Sequence, residues 1–141
     1  MATENAWDIV KDLLRMGSAL YRNGDRIAGA YELNQQQFIV LSEIVNSGPI
    51  NQKQLIGEMI IEKSSLSKIV KKLKSLGLVT STSSPDDGRA ILLSATQKGA
   101  TVWKECMGNF HDWQVDWAGS LTKEEVRQTI KVLERLKELP L

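Results

Sequence analysis

Between Glu62 and Ala95 the hydrophobic period changes once, and that change restricts the fold more than any other feature of the chain. Leu66, Ile69, Val70, Leu73 and Leu76 recur at helical spacing, which predicts a helix from about Glu62 to Leu76 with one buried face. Gly77 ends it, and Leu73 and Leu78 are placed for the apolar contact that accompanies such a cap. The next residues, Leu78 to Ser83 and Ala90 to Ala95, read as two short strands. Ser84-Pro85-Asp86-Asp87-Gly88 between them has the composition of a tight reversal. A helix therefore feeds directly into a β-hairpin.

Three other helix starts share one local chemistry: a capping side chain, a Gln or Glu three residues later, and an apolar pair bracketing the cap. They are Asn34 with Gln37 between Leu33 and Phe38, Asn51 with Gln54 between Ile50 and Leu55, and Thr122 with Glu125 between Leu121 and Val126. The first should run to about Asn46, where Ser47-Gly48-Pro49 stops it. The second is short and should end near Met59, so two helices and a tight turn precede the hairpin.

The flanks are helical too. Residues 4–22 place Trp7, Val10, Leu13, Leu14 and Leu20 on a stripe. Asn23-Gly24 then interrupts the pattern, leaving a weaker continuation over 27–31. From Thr96 a helix carries Val102, Trp103, Met107, Phe110, Trp113 and Trp117, and the last, from Thr122 to Leu139, carries Val126, Ile130, Leu133 and Leu136. The expected fold is mainly α (α+β): a winged helix-turn-helix with long N- and C-terminal helices. A chain of 141 residues suits a single domain, able to bury roughly two-thirds of its unfolded surface. Within it, residues 34–95 should hold the helix-turn-helix and the hairpin, and residues 1–33 and 96–141 the flanking helical region.

A net charge of +1 says nothing about a polyanionic partner until it is resolved along the chain. Residues 62–76 alone carry +4, while residues 1–61, 77–95 and 96–141 carry −2, −1 and 0. Opposite the apolar stripe of this segment stand Ser64, Ser67, Lys68, Lys71 and Ser75, with Lys72 on the flank and Ser65 beside them. Lysines neutralise phosphates as point charges and serines donate to phosphates or base edges. The lack of bulk lets such a helix enter a major groove about 12 Å wide. By itself the pattern also fits a solvated lysine-rich face. The hairpin tip tips the balance, because it carries Arg89, the sole arginine between Arg26 and Arg127. Arginine suits the enhanced negative potential of a narrow minor groove, and Asp87 stands two residues away to hold it.

These residues resemble the MarR family of bacterial and archaeal transcriptional regulators over nearly the whole chain. The resemblance rests on Leu33-Asn34-Gln-Gln-Gln-Phe38, on Ile50-Asn-Gln-Lys-Gln-Leu55, and on the run from Glu62 to Leu73 followed by Gly77-Leu78-Val79. Its most specific block is Pro85-Asp86-Asp87-Gly88-Arg89-Ala90, followed by Leu93-Ser94-Ala95-Thr96-Gln97-Lys98-Gly99. The resemblance implies that Asp87 stabilises the wing, that Arg89 engages the minor groove, that residues 62–76 read the major groove, and that the terminal helices pair two chains. The function so implied is a sequence-specific double-stranded-DNA-binding repressor, a homodimer on a pseudo-palindromic operator, released by a small lipophilic or aromatic effector. Where family members commonly carry arginine, acidic residue and arginine, this chain has Lys68, Lys71 and Lys72, which favours phosphate affinity over bidentate reading of guanine.

Trp103, Phe110 and Trp113 are candidate effector-binding residues, although their helical spacing suits a core or dimer interface first. Cys106 has no second cysteine to pair with and reads as buried and inert, in keeping with a reducing cytoplasm. His111 lies near Asp112 and Asp116, but one histidine without cysteine partners makes a poor metal site. The chain shows no Walker A loop, G-x-S-x-G or zinc pattern, so no enzyme, cofactor or metal is expected. No signal or membrane-spanning segment is expected either.

Overall fold

The structure is a computed structural model that describes residues 2–58, 61–86, 88 and 90–138. In chain order its elements are α1 (Ala2–Gly29), α2 (Gln35–Ser47), α3 (Gln52–Glu58), α4 (Lys63–Ser75), β1 (Val79–Ser83), β2 (Ile91–Ala95), α5 (Gln97–Ala118) and α6 (Lys123–Lys137). Contacts divide the chain into two units, Met1–Met107 and Gly108–Leu141, with the boundary inside α5.

All three capping boxes form as their local chemistry dictates. Asn34 Oδ1 accepts from the Gln37 N–H at 2.8 Å while Gln37 Oε1 accepts from the Asn34 N–H at 3.0 Å. Asn51 and Gln54 repeat the exchange at 2.8 and 3.0 Å, and Thr122 and Glu125 at 3.1 and 2.9 Å. Each box satisfies two N–H groups that a helix start otherwise leaves open. α2 stops at Ser47, ahead of Gly48-Pro49. α3 is described to Glu58, so the expected end at Met59 lies outside the described residues.

The expectation for the first helix is corrected. Asn23-Gly24 does not interrupt the first helix: α1 is continuous from Ala2 to Gly29. Asn23 Nδ2 donates back to the Ala19 carbonyl at 2.9 Å. Gly24 is buried beneath the Gln35 side chain, where a β-carbon would overlap the amide. The glycine makes room for the start of α2, whose Gln35 N–H also donates to Asp25 Oδ1 at 2.8 Å. Close approach, and not a break, is its purpose.

In the first unit α2 packs against α1, α4 and β2, and α3 against α4 and β2. The core consists of Phe38, Val40, Leu41 and Ile44 from α2, Leu55 from α3, Leu66, Ile69, Val70 and Leu73 from α4, and Leu78, Val79 and Leu93 from the hairpin. β1 and β2 pair antiparallel from Val79↔Ala95 to Ser83↔Ile91. Ile50 adds an isolated antiparallel bridge to β2 by exchanging two hydrogen bonds with Leu93, at 3.0 and 2.8 Å. The strands begin at Val79 and Ile91, one residue later than the alternation suggests at each start, because Leu78 and Ala90 serve the turns.

The second unit holds the end of α5 and all of α6. Phe110 and Trp113 meet edge to face with centroids 6.5 Å apart, and Trp113 stacks on Trp117 at 5.9 Å. α6 buries none of its residues, although Val126, Ile130 and Leu133 recur along one stripe. No described helix is long and apolar enough to cross a membrane.

Candidate nucleic-acid interface

Helix α4 sorts its residues by face as the sequence pattern predicts. Leu66, Ile69, Val70 and Leu73 are buried, and truncating one such leucine to alanine costs about 2–5 kcal/mol in a packed core. Ser64, Ser65, Ser67, Lys68, Lys71 and Lys72 are all exposed, so the structure brings the six helix positions together on open surface. Glu62 is the N-cap but makes no side-chain capping bond. The first-turn N–H groups are therefore left for another acceptor, at the end of the helix where the dipole favours an anion.

Among the described residues the ion pairs are Lys11 with Asp8, Arg127 with Glu124 and Lys137 with Glu134, none on α4. Lys68, Lys71 and Lys72 are thus not ion-paired among the described residues. Two serines are engaged locally: Ser75 Oγ donates to the Lys72 carbonyl at 2.7 Å, and Ser67 Oγ donates to Gln52 Oε1 at 3.3 Å.

That second contact brings in residues the sequence reading did not single out. Gln52 opens α3 and touches the exposed face of α4. Asn51, Gln52, Lys53 and Lys74 join Ala90, Ile91 and Leu93 around a cleft of about 380 Å³ beside α4 and β2. Lys53 and Lys74 extend the cationic surface past the six α4 residues. The signal for them lay in the capping box at Asn51, which sets the first turn of α3 beside the α4 face.

The hairpin closes through the Ser84 N–H, which donates to the Ala90 carbonyl at 2.8 Å, and Asp86 N–H lies 3.4 Å from Ser84 Oγ. Asp87 and Arg89, the expected wing residues, lie outside the described residues.

Trp103 belongs to the first unit, where its Nε1–H donates to Ser42 Oγ at 3.1 Å across α2 and α5. Phe110 and Trp113 form their ring contact in the second unit. Cys106 is fully buried, and burial pushes its thiol from 9.0 up to about 11. Among the described residues no group of three or more His, Cys, Asp or Glu is placed to hold a metal.

Comparison with known proteins agrees with this geometry. The MarR family model matches residues 31–90, from the end of α1 to the hairpin. The HTH-type transcriptional regulator MgrA of Staphylococcus aureus is 27% identical over 109 residues, covering 77% of this chain and 73% of its own length. A Listeria monocytogenes regulator ascribed to the MarR family and complexed with 26mer DNA superposes with a TM-score of 0.85 at 22% identity, over 92% of this chain and 86% of that one. A MarR protein from Peptoclostridium difficile gives 0.84 at 22% identity, over 93% and 86%. These structural likenesses speak for the fold, mostly helical with a small two-stranded sheet.

Proposed function

Because the chain belongs to the MarR family of winged-helix transcriptional regulators, whose members bind DNA and are not enzymes, we propose that it works as a homodimeric repressor on a pseudo-palindromic operator. α4 enters the major groove with Ser64, Ser65, Ser67, Lys68, Lys71 and Lys72, and Arg89, steadied by Asp87, enters the adjacent minor groove. The observation that carries this reading is the α4 face: exposed serines and lysines, with no ion-paired partner among the described residues. Lysine in place of arginine makes affinity lean on phosphates. The Listeria relative complexed with DNA supports the same use of the fold.

Two chains are required physically. One recognition helix spans only a few base pairs, and two-fold related helices address half-sites about one helical turn apart. The means are the terminal helices. In a single chain Trp7, Val10, Leu13 and Leu14 of α1 and Val126, Ile130 and Leu133 of α6 are exposed, with Leu14 at 69% and Ile130 at 54%. The second unit is 34 residues long, too small to be stable by its own core, so a second copy supplies the missing one. Release by a lipophilic or aromatic effector would involve Trp103, Phe110 and Trp113, acting by favouring one separation of the two recognition helices over another.

Selection of binders from random duplexes with the purified protein tests the reading. A pair of inverted half-sites about ten base pairs apart is expected, with affinity that falls steeply as salt rises. Failure to retain any duplex at low ionic strength would overturn it.

A further inference from the structure

The end of α4 is held by a short segment that the groove-reading face does not use. α4 terminates on itself: the Leu76 N–H donates to the Lys72 carbonyl at 3.1 Å, Gly77 N–H to Lys74 at 2.9 Å and Leu78 N–H to Leu73 at 3.0 Å, with Gly77 at φ +74°. That pattern completes the helix but leaves the carbonyls of residues 76, 77 and 78 without helical donors. All three are taken by the beginning of α5. Lys98 Nζ donates to the Leu76 carbonyl at 2.9 Å, Thr96 Oγ1 to Gly77 at 2.6 Å and Thr96 N–H to Leu78 at 3.0 Å. The same Thr96 hydroxyl accepts from the Gly99 N–H at 3.0 Å, so one oxygen caps α5 and grips the end of α4.

We propose that Thr96 and Lys98 are positioning residues for DNA recognition: they form a strap that fixes the angle of α4 to α5 and so sets which half-site spacing the dimer accepts. The proposal rests on the DNA-binding reading above. α4 has its own C-terminal backbone cap and four buried residues apart from these side-chain contacts. What the strap adds is direction. A reading helix must be held within about 10–20° of its productive orientation. The ammonium of Lys98 also lies at the negative end of the α4 dipole, where a cation is favoured.

Two measurements decide it. Lys98→Met keeps the aliphatic stem and removes the donor, Lys98→Arg restores a donor, and Thr96→Val removes the hydroxyl. Each is titrated against duplexes carrying the selected half-sites with the spacer changed by one base pair. Wild type should discriminate by about 10-fold or more, an energy of the size of one mismatched base pair. Lys98→Met should narrow that ratio at least about 3-fold, with its salt slope and thermal midpoint unchanged, and Lys98→Arg should restore it. A wild-type ratio in both Lys98→Met and Thr96→Val, or a uniform loss across spacers with a lowered midpoint, would overturn the strap.

The second measurement needs no DNA. Nitroxides at Ser65→Cys and Thr101→Cys in a Cys106→Ala background, diluted with unlabelled protein, report the α4 to α5 distance. Lys98→Met should broaden the distribution, and an unchanged one refutes the strap even where binding persists. If wild type ignores every duplex, the functional reading fails by itself and this distance still decides the strap.

Discussion

Gly99, in the first turn of α5, lies against the main-chain carbonyl of Leu78 so closely that a β-carbon there would overlap the oxygen. That carbonyl also accepts the Thr96 N–H, so neither partner can withdraw without opening the junction between hairpin and helix. Gly99→Ala should therefore destabilise the protein by about 2 kcal/mol or more, lowering Tm by roughly 5 °C or more in a thermal melt. Gly108, in the same helix with nothing within 4 Å, is the control. There alanine should stabilise by about 0.5–1 kcal/mol through helix propensity.

The elements that proved legible in the sequence are those whose cause is local. Asn34, Asn51 and Thr122 each carry a complete capping exchange within four residues, and Gly77 adopts its positive φ beside the cap it terminates. The opposing faces of α4 follow from a period of 3.6 alone. Gly24 was misread because its reason is tertiary: Gln35, eleven residues on, fills the space over it. The Thr96 and Lys98 contacts reach carbonyls 19 and 22 residues back, and Trp103 finds Ser42 across 61 residues. No periodicity encodes such pairings. Gln52 and Lys53 lie within a capped helix start, whose local chemistry marks the helix but not the surface it presents.

On α4, charge should translate into salt dependence. Lys68→Ala and Lys71→Ala each remove an exposed ammonium that no described carboxylate pairs with. If each meets one phosphate, the slope of log K against log salt should fall by about 0.9 per substitution, nearly equally across operator variants. Fluorescence anisotropy between low and moderate salt measures it, and an intact slope would remove the lysine from the phosphate contacts. Arg89→Ala should instead cost most on duplexes with A/T-rich flanks, where the minor groove is narrow.

Cys106 should be silent under oxidants. Its thiol is fully buried and pushed up to about 11, so at neutral pH roughly one molecule in ten thousand carries the reactive thiolate. Iodoacetamide should modify native protein far more slowly than protein in denaturant, and peroxide should leave DNA affinity unchanged. The sign of the pH effect follows from the direction of the shift. The folded state favours the neutral thiol, so its contribution to stability is complete below the ordinary value of 9.0 and erodes as pH climbs toward about 11. Replacing Cys106 by alanine should flatten that alkaline decline in denaturant midpoints.

The apolar stripe of α6 gives the most direct test of assembly. Val126, Ile130 and Leu133 fall on one side of a helix that buries no residue of its own, and a charge at the middle of the stripe cannot be desolvated cheaply. Ile130→Asp should shift the sedimenting species from twice the 15.7 kDa chain mass to the single chain. Lys131→Ala, turned about 100° away on the same helix, should leave the dimer intact. DNA affinity should follow assembly. Two half-sites engaged by one dimer gain an effective concentration that two separate chains lack, so Ile130→Asp should weaken operator binding on the order of 100-fold. Its residual affinity should no longer depend on the spacing between half-sites. A variant that sediments as a monomer yet binds the full operator at wild-type strength would show that each chain reads DNA alone.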